Sequence, residues 1–125
     1  YVVVKLKTHP FFKREGDDIL TEIPVRFGEA ALGATIEVPT MDGKVRMRVP
    51  PGSQSGRVFR LKGKGCTSTD GRSRGDQRVK VVVEVPKFLT TEMRDLLERY
   101  TDLEEDYEEN PLVRDYLRML DDYYD

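Results

Sequence analysis

The chain carries one histidine, His9, and one cysteine, Cys66. Acid–base or nucleophilic catalysis of the Ser/His/Asp or Cys/His kind would have to centre on one of them. His9 stands in the stretch THPFFKREGDD (8–18), where Pro10 ends a strand-like run, so it reads as a loop histidine. A single cysteine excludes an internal disulfide and a cysteine-based zinc site, and it suits a reducing, cytoplasmic compartment. Gly63-Lys64 fails the phosphate-loop spacing, because position 58 is Val and position 65 is Gly. The acidic run Glu104, Glu105, Asp106, Glu108 and Glu109 lacks the Asp-x-Asp-x-Asp-Gly frame of a calcium loop and reads as a solvated charge run. The expectation is a non-enzyme with no catalytic residues, no metal site and no cofactor in this chain.

Charge offers a second kind of chemistry. Lys44, Arg46, Arg48, Arg57, Arg60, Lys62, Lys64, Arg72 and Arg74 could line a phosphate-binding surface. Aromatics are not interleaved with them, as a single-strand platform requires, and outward cations also protect strand edges. A basic β-domain that binds nucleic acid is therefore the alternative reading, not the first one. Net charge is −2, but residues 1–86 hold 16 Lys and Arg against 10 Asp and Glu, and residues 87–125 hold 5 against 13. The sign changes near Pro86, which marks a structural boundary.

These residues need elements to hold them. YVVVKLK (1–7) and ILTEIPVRF (19–27) alternate as strands. In the second, Ile19, Thr21, Ile23, Val25 and Phe27 share one face, and Pro24 places the strand at a sheet edge or a bulge. GEAALG (28–33) has room for about one helical turn. ATIEVPT (34–40) and KVRMRVP (44–50) flank Met41-Asp42-Gly43, where an Asp-Gly hairpin turn puts both residues at positive φ. Val45, Met47 and Val49 face inward. RVFRLKG (57–63) is a further strand, GKGCTSTDGRSRGD (63–76) a mobile polar excursion, and QRVKVVVEVP (77–86) the last strand, with Val79, Val81, Val83 and Val85 on one face. The fold class is mainly β: a small sandwich or barrel-like domain of short strands. Two amphipathic helices follow. The first is capped by Thr90 or Thr91, and the second begins at Asn110-Pro111, with Leu112, Val113, Tyr116, Leu117, Leu120 and Tyr123 as its stripe. No apolar run reaches the ~20 residues that span a bilayer, so no membrane partner is expected.

Several blocks in fixed order, HPxFxRxGDD, EAALG, TMDG, VPPGSQSG, LKGKG and GD, followed by an amphipathic helix, make residues 1 to about 100 resemble the C-terminal region of DnaJ co-chaperones. The resemblance implies three segments. Residues 1–16 would be the last strand and hinge of a preceding client-binding domain, 17–86 a second β-sandwich client-binding domain, and 87–125 a helical dimerisation tail. It also implies that the His-Pro pair belongs to that hinge rather than to the His-Pro-Asp trigger of a J-domain. The ATPase-stimulating J-domain, the Gly/Phe linker and the cysteine-rich zinc module of such proteins are not in this stretch. Tyr1 inside a strand-like run suggests a piece of a longer protein, and zinc is plausible only in that parent. The implied partners are unfolded polypeptide clients, a DnaK-type chaperone reached through the parent protein, and a second copy of the chain.

Two candidate surfaces follow. Leu89, Met93, Leu96, Leu97, Tyr100 and Leu103 form a stripe that either packs on its own sandwich or meets its twin across a two-fold axis, and the resemblance favours the twin. Client holding needs an apolar groove or a free strand edge. The candidates are Ile19, Leu20, Ile23, Val25 and Phe27 in one strand, and Val2, Val4 and Leu6 in the other.

Overall fold

A computed structural model describes residues 12–68, 71 and 73–124. The strand expected over 1–7, with Val2, Val4 and Leu6, and the loop holding His9 lie outside the described residues, as does Arg72. The chain divides after Val85 into two compact units.

The first unit is built from β1 (Lys13–Glu15), β2 (Asp18–Arg26), a short helix α1 (Phe27–Leu32), β3 (Ala34–Thr40), β4 (Gly43–Val49), β5 (Val58–Leu61) and β6 (Gln77–Glu84). Four strands form one sheet in the order β1-β2-β6-β5, and β3-β4 form a second. Val25, Val79 and Val81 from the first sheet and Val38, Met47 and Val49 from the second join Ala30 of α1 in one buried cluster. Two sheets closing on a shared apolar layer make a small β-sandwich, as the alternating strands predict. Gln77, fully buried, ties the sheets together: its Nε2 donates to Thr21 Oγ1 and to the Pro39 carbonyl, both at 2.9 Å.

Several local expectations change. β2 ends at Arg26, and Phe27 opens α1 instead of continuing the strand face; it is 47% exposed. The Glu29 carboxylate accepts the Arg26 backbone N–H at 3.0 Å, which turns the chain into the helix at that point. At the β3–β4 hairpin, Thr40 pairs with Gly43, so Met41 and Asp42 form the loop. Gly43 takes φ +115°, whereas Tyr107 is the only described non-glycine residue at positive φ, so the Asp-Gly pair does not twist as expected. Instead Thr40 Oγ1 accepts the Asp42 N–H and donates to the Gly43 carbonyl. Val85 lies past the end of β6 and is 78% exposed, so it leaves the face of Val79 and Val81. Residues 13–15, expected as hinge, pair antiparallel with β2.

β2 runs parallel to β6 from Ile19 opposite Gln77 to Arg26 opposite Glu84. On its other side β1 covers only Asp18, Ile19 and Leu20. Ile19 N–H donates to the Asp76 carbonyl, so odd residues of β2 turn their N–H toward β6 and even residues turn it away. Pro24, with no N–H to give, falls in the outward set, where no described strand pairs beyond Leu20. Among the described residues that half of the strand is a sheet edge, where a proline is tolerated.

Residues 63–66 and 75–76 of the polar excursion are pinned rather than loose. Cys66 N–H donates to the Asp17 carbonyl (2.7 Å), Gly65 N–H to Gly75 (2.8 Å) and Gly75 N–H to Cys66 (2.8 Å). Asp76 N–H donates to Asp18 Oδ1 and Gly63 N–H to Asp76 Oδ1, both at 2.8 Å. The backbones cross so closely that a Cβ on Gly75 would lie 2.1 Å from the Asp17 carbonyl oxygen, and one on Gly65 2.5 Å from it. Cys66 and Ile19 are buried at this joint beside Phe12 and Met41.

The second unit contains α2 (Thr91–Leu103) and α3 (Pro111–Tyr124). Thr90 is the N-cap of α2, its Oγ1 accepting the Met93 N–H at 3.1 Å, and Glu92 lies in the first turn. Between the helices Tyr107 takes φ +58°, and Asn110 Nδ2 donates to Glu104 Oε2. Neither helix contains a buried residue.

Candidate binding surfaces

The blocks that carry the family resemblance turn out to be joints of the sandwich. GDD (16–18), the LKGKG stretch and Gly75-Asp76 meet in the backbone crossing just described. EAALG meets VPPGSQSG, because Ala30 C=O accepts the Gly52 and Ser53 N–H groups (2.9 and 3.1 Å), and Val83 N–H of β6 donates to Ser55 Oγ of the latter block. Asp42 of TMDG holds Arg74 (3.1 Å) and Lys64 (3.6 Å), fastening the hairpin tip to the pinned loop. The Arg74 hydrogen bond, outweighing a slight desolvation, holds the Asp42 carboxyl below the usual aspartate range. Glu29 is held low likewise, first by the Arg26 backbone N–H and then by its side chain. These residues position surfaces. Among the described residues no group of three His, Cys, Asp or Glu is placed to hold a metal.

Of the apolar strand residues proposed for clients, Ile19, Leu20, Ile23, Val25 and Phe27 are not brought to one surface, and Val2, Val4 and Leu6 lie outside the described residues. Ile19 and Val25 are buried, and Ile23 is packed against the core cluster. Phe27 stands at the start of α1. Of these five, Leu20 lines an open groove, on the sheet face turned away from the core. That groove has a volume of about 490 Å³ and is lined by Phe12, Leu20 and Val58 with Lys13, Glu22, Arg78 and Lys80 at its sides. Register explains the grouping: Lys13 lies opposite Leu20, Leu20 opposite Arg78, Glu22 opposite Lys80, and Val58 opposite Lys80. Phe12 and Val58 were missed because the pairing of β1, β2, β6 and β5 is non-local. The signal available was period 2 along β5, which puts Val58 on the face opposite Phe59.

The cationic set splits up. Arg60 pairs with Asp76 (3.3 Å), Lys64 and Arg74 share Asp42, and Arg57 lies 4.8 Å over the Phe59 ring. Lys44, Arg46 and Arg48 remain exposed along β4, with Glu37 opposite Arg46. Cations engaged inside their own chain are not a continuous phosphate track.

On α2 the expected stripe stays open. Met93, Leu96, Leu97, Tyr100 and Leu103 are between 39 and 75% exposed, and Leu89 is half-buried just before the helix. Leu89, Arg94, Leu97, Glu98, Thr101 and Asp102 line a shallow depression there. The Tyr100 phenol is held above its ordinary range, mainly by partial desolvation and then by its hydrogen bond to Glu104. Among the described residues no helix is long and apolar enough to cross a membrane.

Comparison with known proteins agrees with this architecture. The DnaJ C terminal domain family matches residues 1–86. "Chaperone protein DnaJ" of Clostridioides difficile (strain 630) is 55% identical over 100 residues, which is 80% of this chain and 26% of that protein. The protein of the same name from Ruminiclostridium cellulolyticum is 50% identical over 106 residues, 85% of this chain and 28% of its own length. That of Bacillus mycoides is 50% identical over 105 residues, 84% and 28%. The chain thus spans little more than a quarter of these relatives, all named as chaperones and none as an enzyme. The sandwich, its joints and this match place the chain in the DnaJ C-terminal domain family.

Proposed function

We propose that this part of a DnaJ-type chaperone holds non-native polypeptide and joins two copies of its parent through α2. The carrying observation is that the helical unit has no buried residue while its apolar stripe stays open. A monomer gains little by exposing such a stripe, since apolar area removed from water contributes roughly 25 cal/mol per Å². A two-fold contact lets the same patch cover itself. Opposed acidic helices repel, so the contact rests on the apolar residues and withstands salt.

Each copy then offers this groove, with Phe12, Leu20 and Val58 as its apolar floor. Unfolded chains share little beyond exposed apolar side chains and unpaired backbone, so a shallow apolar groove suits them. Two such grooves on one particle raise apparent affinity through an effective concentration of about millimolar order. Delivery to a DnaK-type partner would belong to a J-domain of the parent, and the reading calls on no cofactor in this chain.

Sedimentation over a concentration series tests the α2 contact. The chain should form a dimer that Leu97→Asp with Tyr100→Asp dissociates; an unchanged dimer would refute α2 as the interface. Leu20→Asp should leave the dimer intact and abolish suppression of aggregation of a denatured client. Full suppression by that variant would remove the groove from the proposal.

A further inference from the structure

The cations of the sandwich fall into two groups. Arg60, Lys64, Arg74 and Arg78 each face an acid of their own chain at 3.1 to 3.7 Å. Lys44, Arg46 and Arg48 are exposed and make no ion pair among the described residues, although Glu37 stands opposite Arg46.

Register sets these three on one line. Thr40 and Gly43 close the hairpin around a two-residue loop, and such a pair can be joined only by exchanging both backbone hydrogen bonds. The ladder alternates from there. Val45, Met47 and Val49 turn their backbone groups toward β3 and their side chains toward the core. Lys44, Arg46 and Arg48 turn their N–H and C=O groups the other way, where no described strand pairs with them. Unmatched charge and open backbone thus belong to the same three residues, spaced about 7 Å apart along about 14 Å of edge.

Cations on a strand edge discourage one partner and select another. β4 of a second copy laid along this edge would set cation against cation, which is destabilising for residues directly opposite. An extended segment with Asp or Glu at alternate positions sets acid against cation at the same places. A nucleic-acid strand finds no aromatic to stack on, because the rest of that face is Thr35, Glu37 and Pro39.

We infer that the outer edge of β4 takes an extended polypeptide segment with an acid at every second residue. The segment adds as a strand, its backbone paired with Lys44, Arg46 and Arg48. This edge belongs to the smaller sheet and the groove of Leu20 to the four-stranded one, so the inference does not rest on the groove.

Fluorescence anisotropy of labelled probes titrated with the full chain tests it. The first probe is the peptide Thr-Glu-Thr-Glu-Thr-Glu-Thr. Its companions are the same residues with the glutamates in one block, the alternating peptide with Lys for Glu, and a short single-stranded oligonucleotide. The alternating acidic peptide should bind saturably and about fivefold more tightly than the blocked one, and the lysine peptide should not bind. Arg46→Glu with Arg48→Glu should weaken the acidic peptide about tenfold and let the lysine peptide bind, a gain that a misfolded chain does not give. Leu20→Asp should leave both results unchanged. The inference is overturned by a lack of saturable binding, by equal affinity for the alternating and blocked peptides, or by acidic-peptide binding that survives the double charge reversal. Loss of that binding in Leu20→Asp would overturn it too, by assigning the peptide to the groove. Tighter binding of the oligonucleotide than of any peptide would overturn it in favour of a phosphate surface.

Discussion

The two units treat apolar residues in opposite ways. In the sandwich, Ile19, Val38, Val49, Val79 and Val81 are completely removed from water, and the strand partners of Ile19, Val79 and Val81 are far away in sequence. In the helical unit the backbone is satisfied locally, and even Leu97, at 39% exposure, faces solvent. A strand must find another strand to complete its hydrogen bonds, so the search for partners closes a core as it proceeds. A helix completes them within itself and can leave its apolar stripe for something else. The lesson is that equal amphipathicity in sequence need not mean equal burial.

Core truncation should separate the units most sharply. Ile19→Ala is expected to cost about 2–5 kcal/mol, read as a lowered urea midpoint, because it opens a cavity at the pinned joint. Leu96→Ala on α2 should change the monomer by less than about 0.5 kcal/mol. If the two losses proved alike, the contrast between a closed core and an open stripe would be broken.

Gln77→Leu should come next, at about 1–3 kcal/mol, since it strips the Thr21 hydroxyl and the Pro39 carbonyl of their buried donor. The pair Gln77→Leu and Thr21→Val would sharpen the point: the double variant should recover part of the loss, because fewer polar groups are left unpaired.

Within the helical unit Thr90→Ala should cost about 1 kcal/mol of helix stability, visible as a loss of far-UV helical signal with the sandwich intact. A loss of sandwich stability as well would mean that the units do not respond separately.

The smallest effect is acid titration. Asp42 and Glu29 are held below their ordinary values of 3.8 and 4.5 in the folded chain, so folding binds fewer protons there than unfolding does. Their contribution is fully present above those values and is lost as pH falls through the lower folded ones. Both lie in the sandwich, so its urea midpoint should drop below about pH 4. Asp42→Asn should blunt that drop, and an unaltered slope would remove Asp42 as a cause.

Much of the architecture was legible. ATIEVPT became β3 residue for residue, and the Thr90-Thr91 cap, Pro111 and the helical apolar spacing placed both helices, because these signals are local. The groove was only half legible. Leu20 was named, whereas Phe12 and Val58 join it only through strand order, and Ile19 and Val25 turned out to be core. Polar, glycine-rich composition suggested a mobile excursion at 63–76; glycine there instead permits two backbones to cross, a use that composition does not distinguish from slack.

By itself the sequence determined the types of the longer elements, the hairpin after Thr40, the starts of α2 and α3 and the family, all of which rest on contacts within a few residues or on motif order. Only the tertiary structure decided that β2 lies parallel to β6, that Gly65 and Gly75 lock onto Asp17, and which apolar side chains vanish from the surface. Those outcomes depend on groups some 50 residues apart competing for the same backbone donors and the same dry volume, and no short window of residues contains that competition.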